Sequence, residues 1–377
     1  MKRLMFVLGS RGEWGYIKPI IEKSKAFGFE SEICATNMVL LPKYGDLLRD
    51  IELQGFSVTS RILSSVAGDT HSAMAKSIGL VTQSFVDVLL TRKPDWVVLA
   101  GDRAEQLGAA IASTFMYIPT AHIQAGERSG NIDGVTRHAI SKLVHLHFSS
   151  NPDATNRLKR MGEEEFRIVE SGAPQLDSLI NDKRPGREEL LSQNFIPNAE
   201  YAVVCFHPVT EDYQDLESQI NFILESCSKI DLPKVWILPN NDAGGELIRD
   251  SILSRKEPRD KVFSNLPREV YTSILENAQF LFGNSSSGIL EAASLNLPVI
   301  NIGRRQANRI AATNVIHVNY AESEVASAIR EVQTVEFRKR AREAINPYGD
   351  GEASSRILSA LRTSNTSREF LVKSIAY

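Results

Sequence analysis

Short apolar runs alternate with helical patterns along most of this 377-residue chain, and this alternation restricts the fold more than any other feature. A continuous apolar run of this kind is typical of a strand that is buried on both faces of a parallel sheet. Between the runs, apolar residues recur at helical spacing, and residues 72–92 form the longest such pattern. Alternating strands and helices predict an α/β fold with doubly wound parallel sheets. The predicted strands are Leu4–Leu8, Ser31–Thr36, Trp96–Ala100, Thr120–Ile123, His145–Ser149, Tyr201–Phe206, Val235–Leu238, Phe280–Phe282 and Pro298–Ile302.

The alternation stops at a polar, turn-rich segment, Asn181–Gly186, and then starts again. A chain of this length exceeds one ordinary domain and suits two. We therefore predict an N-terminal Rossmann-like domain over residues 1–180 and a second Rossmann-like domain over residues 187–352. Two such domains facing each other leave a cleft, and clefts between domains are frequent ligand sites.

Charge and composition argue against several function classes. The formal net charge is −3 and no basic cluster stands out, so we expect no nucleic-acid partner. No run approaches the roughly 20 apolar residues that a membrane span requires, so we expect no membrane association. Cys34, Cys205 and Cys227 are odd in number and far apart, which does not suit a disulfide framework. These features together predict a soluble, cytoplasmic protein.

Charged residues follow two predicted strands of the first domain. Gly101-Asp102-Arg103 follows one strand. The next strand ends at Ile123 and leads into the rest of the stretch 122–138, which we interpret as a glycine-punctuated loop. Ligands bind at the carboxyl ends of strands in open α/β sheets, and glycines let the backbone approach a ligand closely. The two clusters therefore predict one site, although a solvated surface loop is the alternative because loops are often charged. The charged residues of the second cluster are Glu127, Arg128, Asp133, Arg137 and His138.

A glycine turn, Gly9–Gly15, joins the first predicted strand to the first predicted helix. This arrangement is typical of an anion site, in which free N–H groups and the helix dipole face a phosphate. The turn matches neither the dinucleotide-binding fingerprint nor the P-loop. An NAD-dependent oxidoreductase is therefore disfavoured.

Three loops of the second domain also follow predicted strands: Phe206–Thr210, Pro239–Gly244 and Gly283–Gly288. The last contains three consecutive serines at the start of a predicted helix, where hydroxyl and N–H groups can donate to phosphate oxygens. Ordinary N-capping is the alternative for these serines. Glu291, one turn further on, could accept hydrogen bonds from ribose hydroxyls, with a solvated carboxylate as the alternative.

Three histidines, His138, His145 and His147, are close in the sequence and raise the possibility of a metal site. No cysteine or HExxH-like spacing supports zinc, and a histidine beside a strand is more often a hydrogen-bonded structural residue. We expect no metal and no cofactor.

The loop motifs resemble those of the UDP-N-acetylglucosamine 2-epimerases, and most closely the hydrolysing branch that feeds sialic-acid-type sugars. They run in a consistent order from residue 9 to residue 351, so the resemblance covers nearly the whole chain. It implies the GT-B fold, a nucleotide held mainly by the second domain, a last helix within residues 353–377 that packs on the first domain, and a homo-oligomer, either a dimer or a tetramer. The motifs are Gly9-Ser10-Arg11, Gly101-Asp102-Arg103, residues 122–143 (HIQAGERSGNIDGVTRHAISKL), residues 206–210 (FHPVT), residues 239–244 (PNNDAG), residues 283–291 (GNSSSGILE) and residues 346–351 (NPYGDG).

The resemblance also implies a reaction in sialic-acid biosynthesis. UDP would leave UDP-N-acetylglucosamine by elimination to give 2-acetamidoglucal, and water would then add to give N-acetylmannosamine. The implied catalytic residues are Asp102, Glu127, Asp133 and His207. The implied UDP- and substrate-binding residues are Arg11, Lys18, Arg103, His138, Asn241, Ser285, Ser286, Ser287, Gly288 and Glu291.

These residue types suit that chemistry. Departure of UDP needs cations and N–H donors on the phosphates, and Arg11, His207 and the serine segment are of the right types. Early cleavage of the C1–O bond acidifies the hydrogen at C2, so a carboxylate can act as the base. Carboxylates that share a site have their pKa values pushed apart, so one could take a proton while another delivers one. The sequence leaves these roles open among Asp102, Glu127 and Asp133.

Other functions remain open. A hydrolysing 2-epimerase of UDP-2,4-diacetamido-2,4,6-trideoxyglucose, on a route to legionaminic acid, would carry similar motifs, although we favour UDP-N-acetylglucosamine as the substrate. A GT-B glycosyltransferase would share the fold without needing three carboxylates in its first domain. A non-catalytic UDP-sugar sensor would release no UDP. The non-hydrolysing branch is disfavoured because its motifs differ at Gly101-Asp102-Arg103, at Phe206-His207-Pro208 and at Gly283–Gly288.

Overall fold

The computed structural model divides the chain into two compact units. Unit 1 consists of Met1–Ser178 together with Tyr348–Tyr377, and unit 2 consists of Leu179–Pro347. The structure describes residues 1–41, 46–66, 71–128, 132–239, 244–264, 266–306 and 308–376. Within these ranges the side chains of Arg11, His71, Ile132, Asp133, Thr210 and Glu211 are not described.

Unit 1 is built on a seven-stranded sheet whose neighbouring strands are all parallel. The strand order is β3-β2-β1-β4-β5-β6-β7, so the winding direction reverses between β1 and β4. Leu4 of β1 lies opposite Ser31 on one side and Trp96 on the other. The strands are β1 (Lys2–Leu8), β2 (Phe29–Thr36), β3 (Val58–Ile62), β4 (Trp96–Ala100), β5 (Thr120–Ile123), β6 (Leu146–Ser149) and β7 (Ile168–Glu170).

Helices cover both faces of this sheet, because alternate residues of its strands pack into different cores. Phe6 of β1 lies in one core with Ile17, whereas the next residue, Val7, lies in another with Phe85. This burial on both faces explains why the central strands are continuous apolar runs. The first helices are α1 (Arg11–Ser24), α2 (Leu47–Leu53), α3 (His71–Arg92), α4 (Ala104–Phe115), α5 (Ile132–Leu143), α6 (Pro152–Arg160) and α7 (Gln175–Asn181).

Helix α3 is long and apolar, contrary to the prediction that no run of spanning length exists. Its segment Ser72–Arg92 has a mean hydropathy of 1.3 and meets the length and composition of a membrane span, with 22% of the segment buried. Val81, Phe85 and Leu89 recur every four residues and are buried, and Phe85 and Leu89 pack in a core of unit 1. Such spacing is typical of an amphipathic core helix, which meets the same length and composition criteria.

Unit 2 is built on a six-stranded sheet of the same kind. Its order is β10-β9-β8-β11-β12-β13, again with parallel neighbours, so the winding reverses between β8 and β11. The strands are β8 (Ala202–Cys205), β9 (Lys234–Ile237), β10 (Lys261–Phe263), β11 (Leu281–Gly283), β12 (Val299–Ile302) and β13 (Val315–Val318). The helices are α8 (Arg187–Ser192), α9 (Leu216–Ser228), α10 (Gly245–Arg255), α11 (Arg268–Glu276), α12 (Ser287–Leu290), α13 (Glu322–Val332) and α14 (Val335–Arg342).

The chain returns to unit 1 for its last two helices, α15 (Ala353–Thr363) and α16 (Arg368–Leu371). The buried carboxylate of Asp177 accepts hydrogen bonds from the backbone N–H groups of Ala353 (2.9 Å) and Ser354 (2.8 Å), which satisfies the start of α15. Helix α15 then buries Ile357, Leu358 and Leu361 in the core that contains β1. The end of the chain is therefore an integral part of unit 1.

Four observed strands were not predicted from apolar runs, and all four lie at the edges of the sheets. A strand with a single neighbour is partly exposed, so its sequence mixes polar and apolar residues. The most polar is β3, whose residues VTSRI are buried only at Ile62. The four edge strands are β3, β7, β10 and β13.

Each sheet therefore has one point at which the winding direction reverses, and in open α/β sheets ligands bind beyond the carboxyl ends of the strands at such a point. In unit 1 the chain leaves these strands at Gly9 and Gly101. In unit 2 it leaves them at Phe206 and Asn284. These positions begin the loops that were predicted to carry the site.

Candidate active site

A buried glutamine fixes the reversal point of unit 1. Gln106 of α4 donates from Nε2 to the carbonyl of Val7 (3.2 Å) and accepts the N–H of Ala100 at Oε1 (3.3 Å). The side chain is completely buried, and it connects the ends of β1 and β4. The loops that leave these two strands therefore start from fixed positions.

Two N–H groups of the first loop, those of Gly9 and Ser10, are bonded within the protein and are not available to a phosphate. Glu13 Oε2 accepts from the backbone of Gly9 (2.6 Å) and of Ser10 (3.0 Å), while Ser10 Oγ accepts from the N–H of Glu13 (3.4 Å). This reciprocal arrangement is a capping box at the start of α1. Arg11 begins α1, and its side chain lies outside the described part of the structure.

The buried carboxyl groups of Glu13 and Glu105 lie close to each other beside this loop. Burial and the nearby charge of Glu105 raise the pKa of Glu13 to about 8. Glu105 accepts from Asn37 (3.1 Å) and from Arg103 (3.3 Å). A Cβ on Gly9 would lie 2.2 Å from Glu105 Oε1, so only glycine fits there. This pair of glutamates was not predicted from the sequence, although the spacing of Ser10 and Glu13 is that of a capping box and indicates a structural role for Glu13.

Asp102 follows β4 and pairs with a buried arginine. Arg137 of α5 donates from one terminal nitrogen to Asp102 and from the other to the carbonyl of Gln124 (2.7 Å). The Arg137 side chain is 3% exposed and that of Asp102 is 21% exposed, so the carboxylate faces outward from a buried cation. This geometry fixes the orientation of Asp102 and neutralises its charge without enclosing it.

Glu127 is held by two donors on one of its oxygens. The Ser150 hydroxyl and the Asn151 amide both lie 2.5 Å from Glu127 Oε1, and Oε2 takes part in neither bond. Gly126 precedes it with a φ of 77°, and a Cβ there would lie 2.5 Å from the carbonyl oxygen of Ala154. A left-handed backbone in so tight a space requires glycine, and this conformation aims Glu127 at Ser150 and Asn151.

The interpretation of residues 122–138 as one loop is wrong at its end, because α5 begins at Ile132. Asp133, Arg137 and His138 therefore lie on a helix, which buries Arg137 and Ile140. Asp133 belongs to α5 by its backbone, and its side chain lies outside the described part of the structure. Burial, together with the charges of Arg137 and Arg157, lowers the pKa of His138. At neutral pH this imidazole is uncharged.

The remaining predicted residues of the first domain have separate partners. Lys18 pairs with Glu22 across one turn of α1 (3.7 Å). Arg103 forms an ion pair with Glu105 (3.3 Å). Neither arrangement by itself shows contact with a ligand.

Two of the three histidines that suggested a metal site, His145 and His147, form hydrogen bonds with other residues of the protein. His145 Nδ1 accepts the N–H of Thr120 (3.1 Å), and His147 Nε2 lies 2.9 Å from Glu163 Oε2. Burial lowers the pKa of both imidazoles to about 4, so both are neutral at physiological pH. Within the described residues, no group of three or more histidine, cysteine, aspartate and glutamate side chains is arranged to hold a metal ion.

In unit 2, His207 follows β8 and is fixed by Asn284, which follows β11. The backbone N–H of His207 donates to Asn284 Oδ1 (2.7 Å), and its backbone carbonyl accepts from Asn284 Nδ2 (2.8 Å). Burial and the nearby charge of Arg305 lower the pKa of His207 to about 3. The imidazole of His207 is therefore neutral at physiological pH and is not a cation.

The three serines that follow Asn284, Ser285–Ser287, form a compact cluster of hydroxyl groups. Ser285 Oγ lies 3.3 Å from Ser287 Oγ, which accepts from the hydroxyl of Tyr271 (2.8 Å). Ser286 precedes α12 and makes no side-chain capping bond, so simple N-capping does not explain it. Helix α12 has four residues, which makes its dipole small compared with that of a full helix. The hydroxyl and backbone N–H groups of this segment, and not the helix dipole, are therefore the main means by which it could attract an anion.

Gly288 and Glu291 have different roles. A Cβ on Gly288 would lie 2.9 Å from a methyl group of Val299, so this glycine lets α12 pack closely against β12. Glu291 is buried, contrary to the solvated alternative, and its Oε1 accepts from Arg268 (2.8 Å). Its Oε2 is buried and has no hydrogen bond to any part of the chain that the structure describes. A ligand hydroxyl could satisfy that oxygen.

Asn241 lies outside the described residues. The sequence had not singled out Arg268, Tyr271 or Asn284, because their roles depend on which strand ends meet. Asn284 alone carried a signal, since it stands between a strand and three serines.

Comparison of the sequence with known proteins shows which family the chain resembles. The sequence model described as "UDP-N-acetylglucosamine 2-epimerase" matches residues 21–362. A UDP-N,N'-diacetylbacillosamine 2-epimerase (hydrolyzing) from Legionella pneumophila is 35% identical, over 100% of both chains. A UDP-N-acetylglucosamine 2-epimerase from Neisseria meningitidis is 30% identical over 88% of this chain and 87% of its own. A GDP/UDP-N,N'-diacetylbacillosamine 2-epimerase (hydrolyzing) from Campylobacter jejuni is 30% identical over 90% and 89%.

Among solved structures, the UDP-GlcNAc 2-epimerase from Neisseria meningitidis bound to UDP-GlcNAc has a TM-score of 0.80 with 20% identity, covering 96% of this chain and 100% of its own. A likeness at this identity shows the fold, which is GT-B.

Proposed function

The chain belongs to the UDP-N-acetylglucosamine 2-epimerase family, and from this premise we propose that it is a hydrolysing 2-epimerase of UDP-2,4-diacetamido-2,4,6-trideoxyglucose. This sugar nucleotide is UDP-N,N'-diacetylbacillosamine, and inversion at C2 with loss of UDP would give 2,4-diacetamido-2,4,6-trideoxymannose. The observation that carries the proposal is the full-length match at 35% identity to a relative named for this substrate and for hydrolysis.

The proposed substrate differs from UDP-N-acetylglucosamine, which we favour from the sequence. The motifs are shared by enzymes of both sugars, so they do not by themselves choose between the two substrates. The relatives named for the diacetamido sugar match at 35% and 30% identity, and the relative named for UDP-N-acetylglucosamine matches at 30%. UDP-N-acetylglucosamine is therefore the second candidate, supported by that last relative.

The first step of the proposed reaction is elimination of UDP. The C1–O bond to UDP breaks, a carboxylate takes the proton from C2, and the C2–H electron pair forms the C1=C2 double bond. In the second step water adds across this bond, with its hydroxyl on C1 and a proton delivered to the opposite face of C2. We assign the carboxylate roles to Asp102, Glu127 and Asp133 as a group.

The contacts of two of these carboxylates support this assignment. Asp102 is oriented by buried Arg137 but remains partly exposed. Glu127 is anchored through Oε1, and its Oε2 takes part in neither of these bonds. A group held by one edge is preorganised for proton transfer, because its position no longer has to be found during the reaction.

Unit 2 supplies the proposed UDP contacts. The Ser285, Ser286 and Ser287 hydroxyls and the His207 ring are donors suited to the diphosphate, since all are neutral and directional. The unpaired Oε2 of Glu291 suits a ribose hydroxyl, because a buried carboxylate oxygen without a partner is costly until a donor reaches it.

NMR of the purified protein with each sugar nucleotide, without added metal, tests the proposal. We expect free UDP and the 2,4-diacetamido-trideoxymannose product, with deuterium at C2 when the reaction runs in D₂O. A kcat/KM that is higher for UDP-N-acetylglucosamine would replace the substrate assignment. Equilibration with a UDP-linked C2 epimer would move the protein to non-hydrolysing chemistry, and release of no UDP from either compound would refute the hydrolysing epimerase.

A further inference from the structure

The imidazole of His207 is fixed at one ring nitrogen and unpaired at the other. Its Nε2 lies 3.3 Å from the sulfur of Cys205, two residues earlier at the end of β8. Its backbone N–H and carbonyl both bond to the Asn284 side chain, which fixes the backbone position from which the ring extends. Its Nδ1 is buried and makes no hydrogen bond with the chain as far as the structure describes it.

The direction of the bond between the thiol and the imidazole follows from the proton content of each group. Burial raises the pKa of the Cys205 thiol to about 11, so the sulfur keeps its proton at neutral pH. His207 is neutral, so its ring carries one proton on one of its two nitrogens. An unprotonated imidazole nitrogen is a good acceptor, whereas a thiol sulfur is a weak one. Donation from Cys205 to Nε2 is therefore the favoured direction, and it leaves the ring proton on Nδ1.

We propose that Cys205 is a positioning residue that holds His207 in the Nδ1-protonated tautomer and so presents this N–H to an anionic oxygen of the bound nucleotide. The ligand half of this inference rests on the proposed function, because the diphosphate of UDP supplies the oxygen. A buried N–H without an acceptor is costly, and a phosphate oxygen would remove that cost through a charge-assisted bond. The thiol of Cys205 thereby sets which nitrogen of the ring meets the ligand.

Four variants separate the hydrogen bond from the volume of the side chain. Cys205→Ala removes the donor, Cys205→Val removes the donor but keeps an apolar side chain of larger size, and Cys205→Ser keeps a donor. Cys227→Ala is the matched control, because Cys227 is another buried free cysteine of unit 2 and lies on α9 in the core of that unit. If the alanine variant fails to fold, the valine variant carries the same test.

The tautomer is measured first, in the protein without ligand. Long-range ¹H–¹⁵N NMR of ¹⁵N-histidine protein distinguishes a protonated from an unprotonated ring nitrogen, and the missing signals of a His207→Gln variant assign this residue among the seven histidines. We expect the proton on Nδ1 in the wild type, in Cys205→Ser and in Cys227→Ala. In Cys205→Ala and Cys205→Val it should move wholly or partly to Nε2. A wild-type proton on Nε2, or an unchanged pattern in the alanine and valine variants, overturns the inference.

Calorimetric titration with UDP tests the ligand half. One hydrogen bond of this kind corresponds to a loss of affinity of roughly threefold to tenfold in Cys205→Ala and Cys205→Val, while Cys205→Ser and Cys227→Ala should stay within about twofold of the wild type. A tautomer change without loss of UDP affinity overturns the role of Nδ1 in binding. Absence of UDP binding to the wild type would count against the proposed function, and the tautomer measurement would still decide the role of Cys205.

Discussion

Replacement of Glu13 by glutamine should remove a pH-dependent loss of stability that the wild-type protein carries. Glu13 is buried beside Glu105, and its pKa is raised from 4.5 to about 8, first by burial and then by the charge of Glu105. A folded-state pKa above the unfolded value means that the folded protein binds more protons between these two pH values. Its stability therefore falls as the pH rises through this window, and the neutral carboxyl group is the favourable form.

The size of this effect follows from the shift. Each pKa unit is worth about 1.4 kcal/mol, so the shift from 4.5 to about 8 sets an upper limit of about 5 kcal/mol once Glu13 is fully ionised. Between about pH 5 and about pH 8 the wild type should lose roughly 3 kcal/mol through this group, and Glu13→Gln should lose none of it. Glutamine keeps a carbonyl oxygen that can accept from Gly9 and Ser10, so the capping box survives the substitution.

Urea denaturation at about pH 5, 6.5 and 8 measures the difference. Trp14 and Trp96 belong to unit 1 and Trp236 to unit 2, so a Trp236→Phe background makes the fluorescence report unit 1 alone. Glu30→Gln is the control, because Glu30 is exposed on β2 and should leave the pH dependence unchanged. Equal pH slopes in Glu13→Gln and the wild type would refute the argument that Glu13 is kept neutral by its surroundings.

Three further predictions concern the site. Asp102→Asn and Glu127→Gln should each lower kcat by about 10²–10⁴, the usual size for acid–base groups, and wild-type turnover in both would remove them from the chemistry. Glu291→Gln should weaken UDP binding by roughly tenfold or more in calorimetry, because a charged acceptor is lost, whereas Glu127→Gln should bind UDP nearly as the wild type does; equal affinities of the two variants would contradict the division of roles. Gly126→Ala should destabilise unit 1 by about 1–3 kcal/mol more than Gly28→Ala in urea denaturation, since both have positive φ but only Gly126 lacks space for a Cβ; equal losses would show that backbone strain alone is responsible.

The central strands could be predicted from the sequence because burial on both faces leaves a direct record in it. Trp96–Ala100 and Thr120–Ile123 were predicted with the bounds that the structure has. The four edge strands were missed because an edge strand needs one packed face at most, and sequences such as that of β3 look like loops. The helix α5 was predicted to start too late, since its first turn contains Asp133 and Gly134 and lacks apolar periodicity.

The site was only partly predictable for a related reason. Asp102 and Glu127 could be singled out because they follow apolar runs directly, and the sheet order brings those strand ends together. Their partners could not be identified, because Arg137, Ser150 and Asn151 reach them through tertiary contacts that leave no spacing signal. The turn Gly9–Gly15 is predicted to offer free N–H groups, but those of Gly9 and Ser10 are occupied by a carboxylate three to four residues later.

The return of α15 to unit 1 affects the order in which the protein can fold during synthesis. Unit 2 is one uninterrupted segment of the chain, whereas unit 1 is split and receives Ile357, Leu358 and Leu361 only after unit 2 has been made. Domains generally fold as units as they emerge from the ribosome. A nascent chain can therefore complete unit 2 while the first sheet still lacks the helix that covers part of its core. Synthesis of unit 1 therefore begins before that of unit 2, but unit 1 receives the last of these core residues after unit 2 is complete.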